Sequence, residues 1–455
     1  MRNDSLEYLT SEHASLKPLR IYLFDGEIYE CIPSTDRENF WLRNLKTGEK
    51  ERLETALTIT RKDDIRDITD AYIREHPDYA AERLDKARKA LSQSEDYFEA
   101  QRLLEPLAEG GDPEAQYLMA YCYTKASNPD LFPPKYVNIY LEKAAAQGHL
   151  KAQYFLAQNY RIGFNGTEDP VLSAKWYEEA AKQGHAKAAA FTGLNHETGV
   201  KGLYPADPKT AFHWYQISAE ADDPLGLYFL GLAYENGIGT DAMLAYENGI
   251  GTDADRRKAM ECYRKGAELK HKKCAFRYAY IQDPVYGFPE FANGEAALEW
   301  YHKAKHLRDE RASRYLGLHY ANGTCGLDIN RRKARELFLD GASLGDAPCA
   351  AEAGRDYLYG DHGARQDLHQ AYLLCSQAAE AGDTTGMLLL AHYYLLRSQT
   401  EENREENLEK SLEWAKKAKA AGGNAEALLE EAQKRLGELR KEERKKHGLF
   451  GRKRK

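Results

Sequence analysis

The chain has 455 residues, 30% of them charged, and a net charge of −8. No stretch approaches the apolar run that a membrane span needs, and the acidic balance argues against the whole body being a nucleic-acid binder. Seven cysteines, odd in number and scattered, fit a reducing compartment and hence a cytoplasmic protein.

The first residues, MRNDSLEYLTSEH, hold no basic segment followed by an apolar core, so no secretory signal is expected. A helix is expected over Ser5 to Ala14. The next stretch alternates apolar and polar residues, with Asp25-Gly26 and Thr47-Gly48 as hairpin punctuation. This pattern gives five short antiparallel strands: Leu19–Phe24, Glu27–Ile32, Phe40–Asn44, Glu51–Glu54 and Leu57–Thr60. They predict a small barrel or curled sheet over residues 1–62. Residues 63–95 read as connector helices interrupted at His76-Pro77, and Asp96 to Gly111 as a lone helix that caps the repeats beyond it.

Between Asp112 and Gly422 a block of about 36–38 residues recurs eight times. In the copy His149 to Gly184, Ala152, Leu156 and Tyr160 fall at four-residue steps, one stripe of a helix. Gly163 and Gly166 break the pattern, and Asp169-Pro170 starts a second helix. That helix sets Ser173, Tyr177 and Ala181 on one stripe and stops at Gly184. Later second helices begin at Ala211, Ala259, Ala297, Ala334, Ala371 and Ser411. Each carries Tyr215, Tyr263, Tyr301, Phe338, Cys375 or Ala415 four residues on. Small residues admit the paired helix, and the aromatic fills the space that remains. One hairpin is too small to bury its own stripe, so copies must stack. The expected fold is mainly α: a right-handed α/α solenoid of about eight hairpins over residues 96–432, with a small N-terminal antiparallel β domain.

One copy is longer than the rest. Leu232 to Met243 is repeated almost unchanged as Leu244 to Asp255. This reads as a duplication tolerated in the loop between two helices, where closure entropy rises slowly with length. The alternative is a protruding turn, Leu244-Ala245-Tyr246, that contacts a partner. After a further helix from Ala425 to about Lys446, residues 433–455 form a charged end. Its last part is a basic tail carrying Arg444, Lys445, Lys446, Arg452, Lys453, Arg454 and Lys455. Such a tail is either solvated and disordered or a clamp for acidic protein, nucleic acid or anionic lipid.

The repeats resemble the Sel-one-like repeat family, a relative of tetratricopeptide repeats. The resemblance rests on AQYFLAQNY with AKWYEEAAKQGH (Ala152 to His185), LYFLGLAYENGIGTD (Leu227 to Asp241) and SRYLGLHYANG (Ser313 to Gly323). It implies a scaffold or adaptor for other proteins, without catalytic residues or cofactors. A secreted branch with disulfides in each repeat and β-lactam-hydrolysing activity is a distant third reading, since these cysteines are not paired once per hairpin. The N-terminal segment resembles a bacterial Sm-like RNA-chaperone barrel through Ile21 to Gly26 and Ala56 to Thr60, and equally an SH3-like module. Where the Sm-like family places a basic uridine pocket, this chain has Leu53-Glu54-Thr55. A nucleic-acid-linked regulator, using this barrel or the tail, is therefore the alternative function.

The family resemblance implies that first helices line a concave face. Slots pointing away from the 152/156/160 stripe hold Tyr117, Tyr121, Lys151, Tyr154, Gln158, Arg161, Lys187 and Tyr228. Later copies add Lys273, Phe276, Tyr280, Arg311, Arg314 and His392. Aromatics interspersed with Lys and Arg suit an acidic or C-terminal peptide. At 155, 191 and 229 packing between repeats is the expectation. Catalysis and metal binding are not expected: His302 and His306 share a helix face but have no third ligand at metal spacing, and Gly237-Ile238-Gly239 follows a helix rather than a strand.

Overall fold

A computed structural model describes residues 20–24, 27–33, 40–52, 66–67, 69–126, 128–130, 132–164, 166, 168–237, 253–361, 364–399 and 403–452. The helix expected at Ser5 to Ala14, the strand at Leu57–Thr60, the Leu53-Glu54-Thr55 segment, most of the duplicated loop and Lys453 to Lys455 lie outside them. The chain divides into two compact units, Met1–Ser218 and Ala219–Lys455.

Unit one opens with an antiparallel sheet of β1 (Ile21–Phe24), β2 (Glu27–Pro33), β3 (Phe40–Asn44), β4 (Lys50–Arg52) and β5 (Arg66–Asp67), in the order β4-β3-β2-β1-β5. Cys31 stands opposite Leu42 and Ile21 opposite Glu30. The fifth described strand lies in the segment read as helical connector, where Arg66 and Asp67 pair with Leu23 and Tyr22. Two residues are too few for periodicity to show a strand. The sheet rests on α1 (Thr69–Glu75) and α2 (Pro77–Lys89). The Ile21 amide donates to Thr69 Oγ1 at 2.9 Å, and Tyr79 donates to Glu30 Oε1 at 2.6 Å. After α3 (Tyr97–Glu109) come three hairpins: α4 (Pro113–Lys125) with α5 (Lys135–Ala146), α6 (Leu150–Ile162) with α7 (Pro170–Lys182), and α8 (Ala186–Thr198) with α9 (Pro208–Glu220).

Unit two holds five more hairpins. They are α10 (Pro224–Asn236) with α11 (Asp253–Glu268), α12 (Lys272–Ile281) with α13 (Gly294–His306), and α14 (Glu310–Asn322) with α15 (Arg331–Ser343). Next come α16 (Ala347–Tyr359) with α17 (Leu368–Glu380), and α18 (Thr384–Arg397) with α19 (Arg404–Ala420). The repeat solenoid is thus the fold, with eight hairpins among the described residues. The last helix, α20 (Glu426–Arg452), runs past the expected end at Lys446 and carries helix into the basic tail.

One frame serves every hairpin. Each first helix is preceded by a residue that can cap it: Asp112, His149, His185, Asp223, His271, Asp309, Asp346 or Asp383. The acids accept first-turn amides through their carboxylates, and His149 and His185 accept the Ala152 and Ala188 amides at Nδ1, each at 3.1 Å. These caps satisfy donors that would otherwise be orphaned at the helix start. Eight residues beyond each cap stands only Ala or Gly. At Gly193 a Cβ would lie 2.5 Å from the Tyr215 ring, and at Gly317 equally close to Phe338. The second-helix aromatic therefore sets the limit on that position. The stripe residues Ala152, Leu156, Tyr177 and Ala181 are buried as expected. Ser173 is buried too, because its hydroxyl donates to the Ala157 carbonyl at 2.9 Å. Ser411 does the same to Ala391 at 2.8 Å.

Leu232 to Asn236 end α10, and Gly237 closes it in the left-handed region at φ 68°. The second copy, from Leu244, lies outside the described residues until α11 begins at Asp253.

Candidate functional site

Residues five after each cap face the next hairpin, and what they do depends on the next cap. Where that cap is histidine, the slot is tyrosine and the rings meet. Tyr117 stacks on His149 and Tyr154 on His185, with centroids 4.8 and 4.3 Å apart, and Tyr228 tilts against His271 at 5.7 Å. Where the cap is aspartate, the slot is Ala190, Phe276, Arg314 or Ala351. Arg314 pairs with Asp346, Nε to Oδ1 at 3.1 Å, and Arg311 pairs with Asp309 at 2.9 Å while covering Phe276. Asp309 and Asp346 are buried, so these charges are neutralised inside the stack.

The sequence-predicted groove residues therefore divide. Tyr154, Tyr228 and Phe276 are buried between hairpins, a correction to their placement in a groove. Arg311 and Arg314 are half-buried and spent on acidic caps. The reason is that a first helix in a stack has two covered faces, one toward its own partner and one toward the neighbouring repeat. Gln158 donates to Tyr154 Oη at 2.8 Å, and Arg161 lies over Phe191 at 5.1 Å. Tyr280 packs edge-on to Tyr315, and His392 Nδ1 meets the Tyr359 hydroxyl at 2.6 Å.

What remains open is narrower. In unit one Lys151, Lys187 and Arg161 are exposed, and Tyr121 and Phe155 are 36% and 41% exposed. In unit two Lys273 is exposed over the Tyr228 ring. Among the described residues no ion pair holds Lys151, Lys187 or Lys273. Phe155 nevertheless stacks on Tyr117 of the preceding hairpin at 6.0 Å, Phe191 packs on Tyr177 at 4.8 Å and Phe229 lies half-buried against Tyr228. In the tail, Arg444 is exposed on α20, and the backbone of Lys445, Lys446 and Arg452 is helical.

A second set of residues is not apparent from the period of a single helix. Twelve after the cap stand Arg161, Glu197, Glu235 and Asp283 in the four hairpins whose second helix carries a buried tyrosine, Tyr177, Tyr215, Tyr263 or Tyr301. Ala321, Leu358 and Leu395 stand there where that residue is Phe338, Cys375 or Ala415. The buried Tyr215 hydroxyl donates to Glu197 at 2.5 Å, Tyr263 to Glu235 at 2.7 Å and Tyr301 to Asp283 at 2.9 Å. An unpartnered buried hydroxyl costs about 1–3 kcal/mol, which is why Tyr215, Tyr263 and Tyr301 each stand opposite an acid; the Tyr177 hydroxyl, opposite Arg161, makes no hydrogen bond among the described residues. The signal lay in the sequence as a correlation between two columns of the repeat.

Asp283 gathers the most partners. Its Oδ1 accepts the Val285 and Tyr286 amides at 2.8 and 3.2 Å, and its Oδ2 meets Tyr301 and His319 Nε2, each at 2.9 Å. Burial opposes ionisation of Asp283, but the His319 and amide hydrogen bonds outweigh it and hold the carboxyl below its ordinary value. His319 is wholly buried; its Nδ1 meets Thr324 Oγ1 at 2.6 Å, and Cys325 Sγ lies 3.9 Å from its Nε2. Burial, with Asp283 nearby, pushes the Cys325 thiol up to about 11. Aspartate and thiol meet the same imidazole nitrogen, so the trio is not ordered as a nucleophile–base–orienter relay. His302 and His306 are instead exposed on α13.

The sequence profile of the Sel1 repeat matches residues 113–129, 138–149, 150–185, 186–223, 224–242, 241–271, 273–309, 311–346, 347–383 and 385–423. Two pairs of these segments each fall within one hairpin, α4 with α5 and α10 with α11, so the ten segments correspond to the eight hairpins. The chitin synthase regulator SKT5 of Saccharomyces cerevisiae is 29% identical over 174 residues, 37% of this chain and 25% of that protein. The chain thus spans about a quarter of the length of the curated relative it matches. A Sel1 repeat protein from Oxalobacter formigenes has a similar fold, with a TM-score of 0.50 and 23% identity over 70% of this chain and 87% of that one. A protective antigen of uropathogenic Escherichia coli with an SLR fold is similar at a TM-score of 0.39 and 24% identity, covering 81% and 82%. Among the described residues no helix is long and apolar enough to cross a membrane.

Proposed function

The chain belongs to the Sel1 repeat family, and we propose that it is a non-catalytic cytoplasmic scaffold or adaptor that holds an acidic segment of a partner protein on the surface of its first helices. The observation that carries this reading is Lys151 and Lys187 in unit one, with Lys273 in the same slot of its own hairpin in unit two. These lysines recur two residues after the cap, where helix packing requires no charge, and they are exposed without an ion-pair partner among the described residues. Arg311, in the same slot, is held by Asp309 and is no longer counted among the recognition residues. Exposed Phe155, one turn beyond Lys151 on α6, adds the apolar contact that a peptide side chain needs.

The test is affinity capture from the source cell with the intact protein and with the triple variant Lys151→Glu, Lys187→Glu and Lys273→Glu. The expected outcome is loss of the captured partner at an unchanged melting temperature. Wild-type capture weakens as salt is raised, since exposed charges are screened over about 8–10 Å near physiological ionic strength. Capture that survives the triple variant overturns the reading.

A further inference from the structure

We propose that Asp283, His319 and Cys325 form a site for a zinc-class divalent ion in unit two. Their ligand atoms, one from each side chain, lie within 4.8 Å of one another. The three differ in chemistry, and carboxylate, imidazole and thiolate together are a donor set that suits zinc rather than calcium or magnesium.

Each donor is held in place by something else. The Val285 and Tyr286 amides occupy Oδ1 of Asp283 and turn Oδ2 toward His319. The Thr324 hydroxyl occupies Nδ1 of His319, leaving Nε2 to face both Asp283 and Cys325. Such an outer partner on the far ring nitrogen is what orients a metal-binding histidine. Cys325 sits at φ 56°, a region that residues other than glycine seldom adopt. Opposite it, at the start of α13, is Gly294; a Cβ there would come within 3.3 Å of the Cys325 sulfur. Glycine is a poor residue inside a helix, and here it leaves room for the thiol.

Tetrahedral zinc, with bonds of about 2.0–2.3 Å, separates its ligand atoms by roughly 3.3–3.8 Å. The observed separations of 2.9 Å (Asp283 Oδ2 to His319 Nε2) and 3.9 Å (His319 Nε2 to Cys325 Sγ) bracket that range, and the Asp283–Cys325 pair lies within 4.8 Å, so side-chain shifts of up to about 1 Å accommodate the ion. Binding exchanges protons for the ion: the thiol loses its S–H proton, and any proton on Nε2 is released with it. No electron moves. The fourth position is left to water, on the side where Cys325 is partly exposed.

The test uses the full chain, stripped with a chelator and titrated with cobalt(II), then with zinc. The expected result is one equivalent bound with a thiolate-to-cobalt charge-transfer band, displaced by zinc, and a melting transition that zinc raises. Cys325→Ser and Cys325→Gly, the second chosen to suit the left-handed backbone, should lose the band and the zinc-dependent rise while melting without metal like the unsubstituted chain. Absence of the band in the unsubstituted protein overturns the proposal. So does its persistence in both Cys325 variants, because another cysteine would then be the ligand.

Discussion

The hairpins α8/α9, α10/α11 and α12/α13 close around a buried tyrosine whose hydroxyl reaches an acid, whereas α14/α15, α16/α17 and α18/α19 close the same gap without polar atoms. Glu197–Tyr215, Glu235–Tyr263 and Asp283–Tyr301 are the polar solutions; Ala321–Phe338, Leu358–Cys375 and Leu395–Ala415 are the apolar ones. One repeat frame thus tolerates two chemistries, provided both members of the pair change together. A half-exchanged pair would strand a buried donor or acceptor.

The harshest way to break this comparison is Asp283→Ala, which strips partners from Tyr301, His319 and two amides at once. A loss of about 3–5 kcal/mol is expected, as for breaking a buried pair, read as early exchange of the amides of 272–322. The same group sets an acid limit. Asp283 is held below its ordinary value in the folded chain, so the unfolded chain takes up this proton first as pH falls. Its stabilisation is whole above about pH 4 and is lost as pH drops through the folded value. Asp283→Asn should flatten that acid limb of a pH–melting profile; an unchanged profile would show that Asp283 does not govern it.

A sharper test moves the polar solution into an apolar hairpin. Ala321→Glu and Phe338→Tyr should each destabilise the chain, and the double variant should lose less than their sum, with a coupling of about 1–2 kcal/mol in a double-mutant cycle. Additive losses would mean that the two columns vary independently. A smaller effect is expected in unit one for His185→Asp, which keeps the helix cap but removes the ring that stacks on Tyr154. A cost of about 0.5–1.5 kcal/mol in denaturant melts fits an aromatic pair. The smallest change is deletion of Leu244 to Asp255: a midpoint within about 0.5 kcal/mol of the parent is expected for a loop, and a large loss would mean that the second copy packs.

Much of the candidate surface differs from its sequence-based expectation for one physical reason. Tyr154, Tyr228 and Phe276 lie off the stripe of their own helix, which a single helix wheel scores as outward, yet each is buried between its own hairpin's tyrosine and a ring of the next repeat. Arg311 and Arg314 look like free cations until Asp309 and Asp346 are seen beside them. Lys151 and Lys187 survive because their slot faces neither the partner helix nor the next cap. Phe155 packs on Tyr117 as expected, yet keeps part of its ring exposed.

The amino-acid order alone determined the helix hairpins, their number, their glycine stops and the small-residue stripes, because each arises from interactions between residues three or four apart. It also held the pairing of buried tyrosines with acids, although only as a correlation between distant columns. Tertiary structure alone decided which outward residues are covered and where β5 pairs. It alone also brought Asp283, His319 and Cys325 from two successive hairpins to one point. Those outcomes depend on contacts between elements tens of residues apart, and no local period records them.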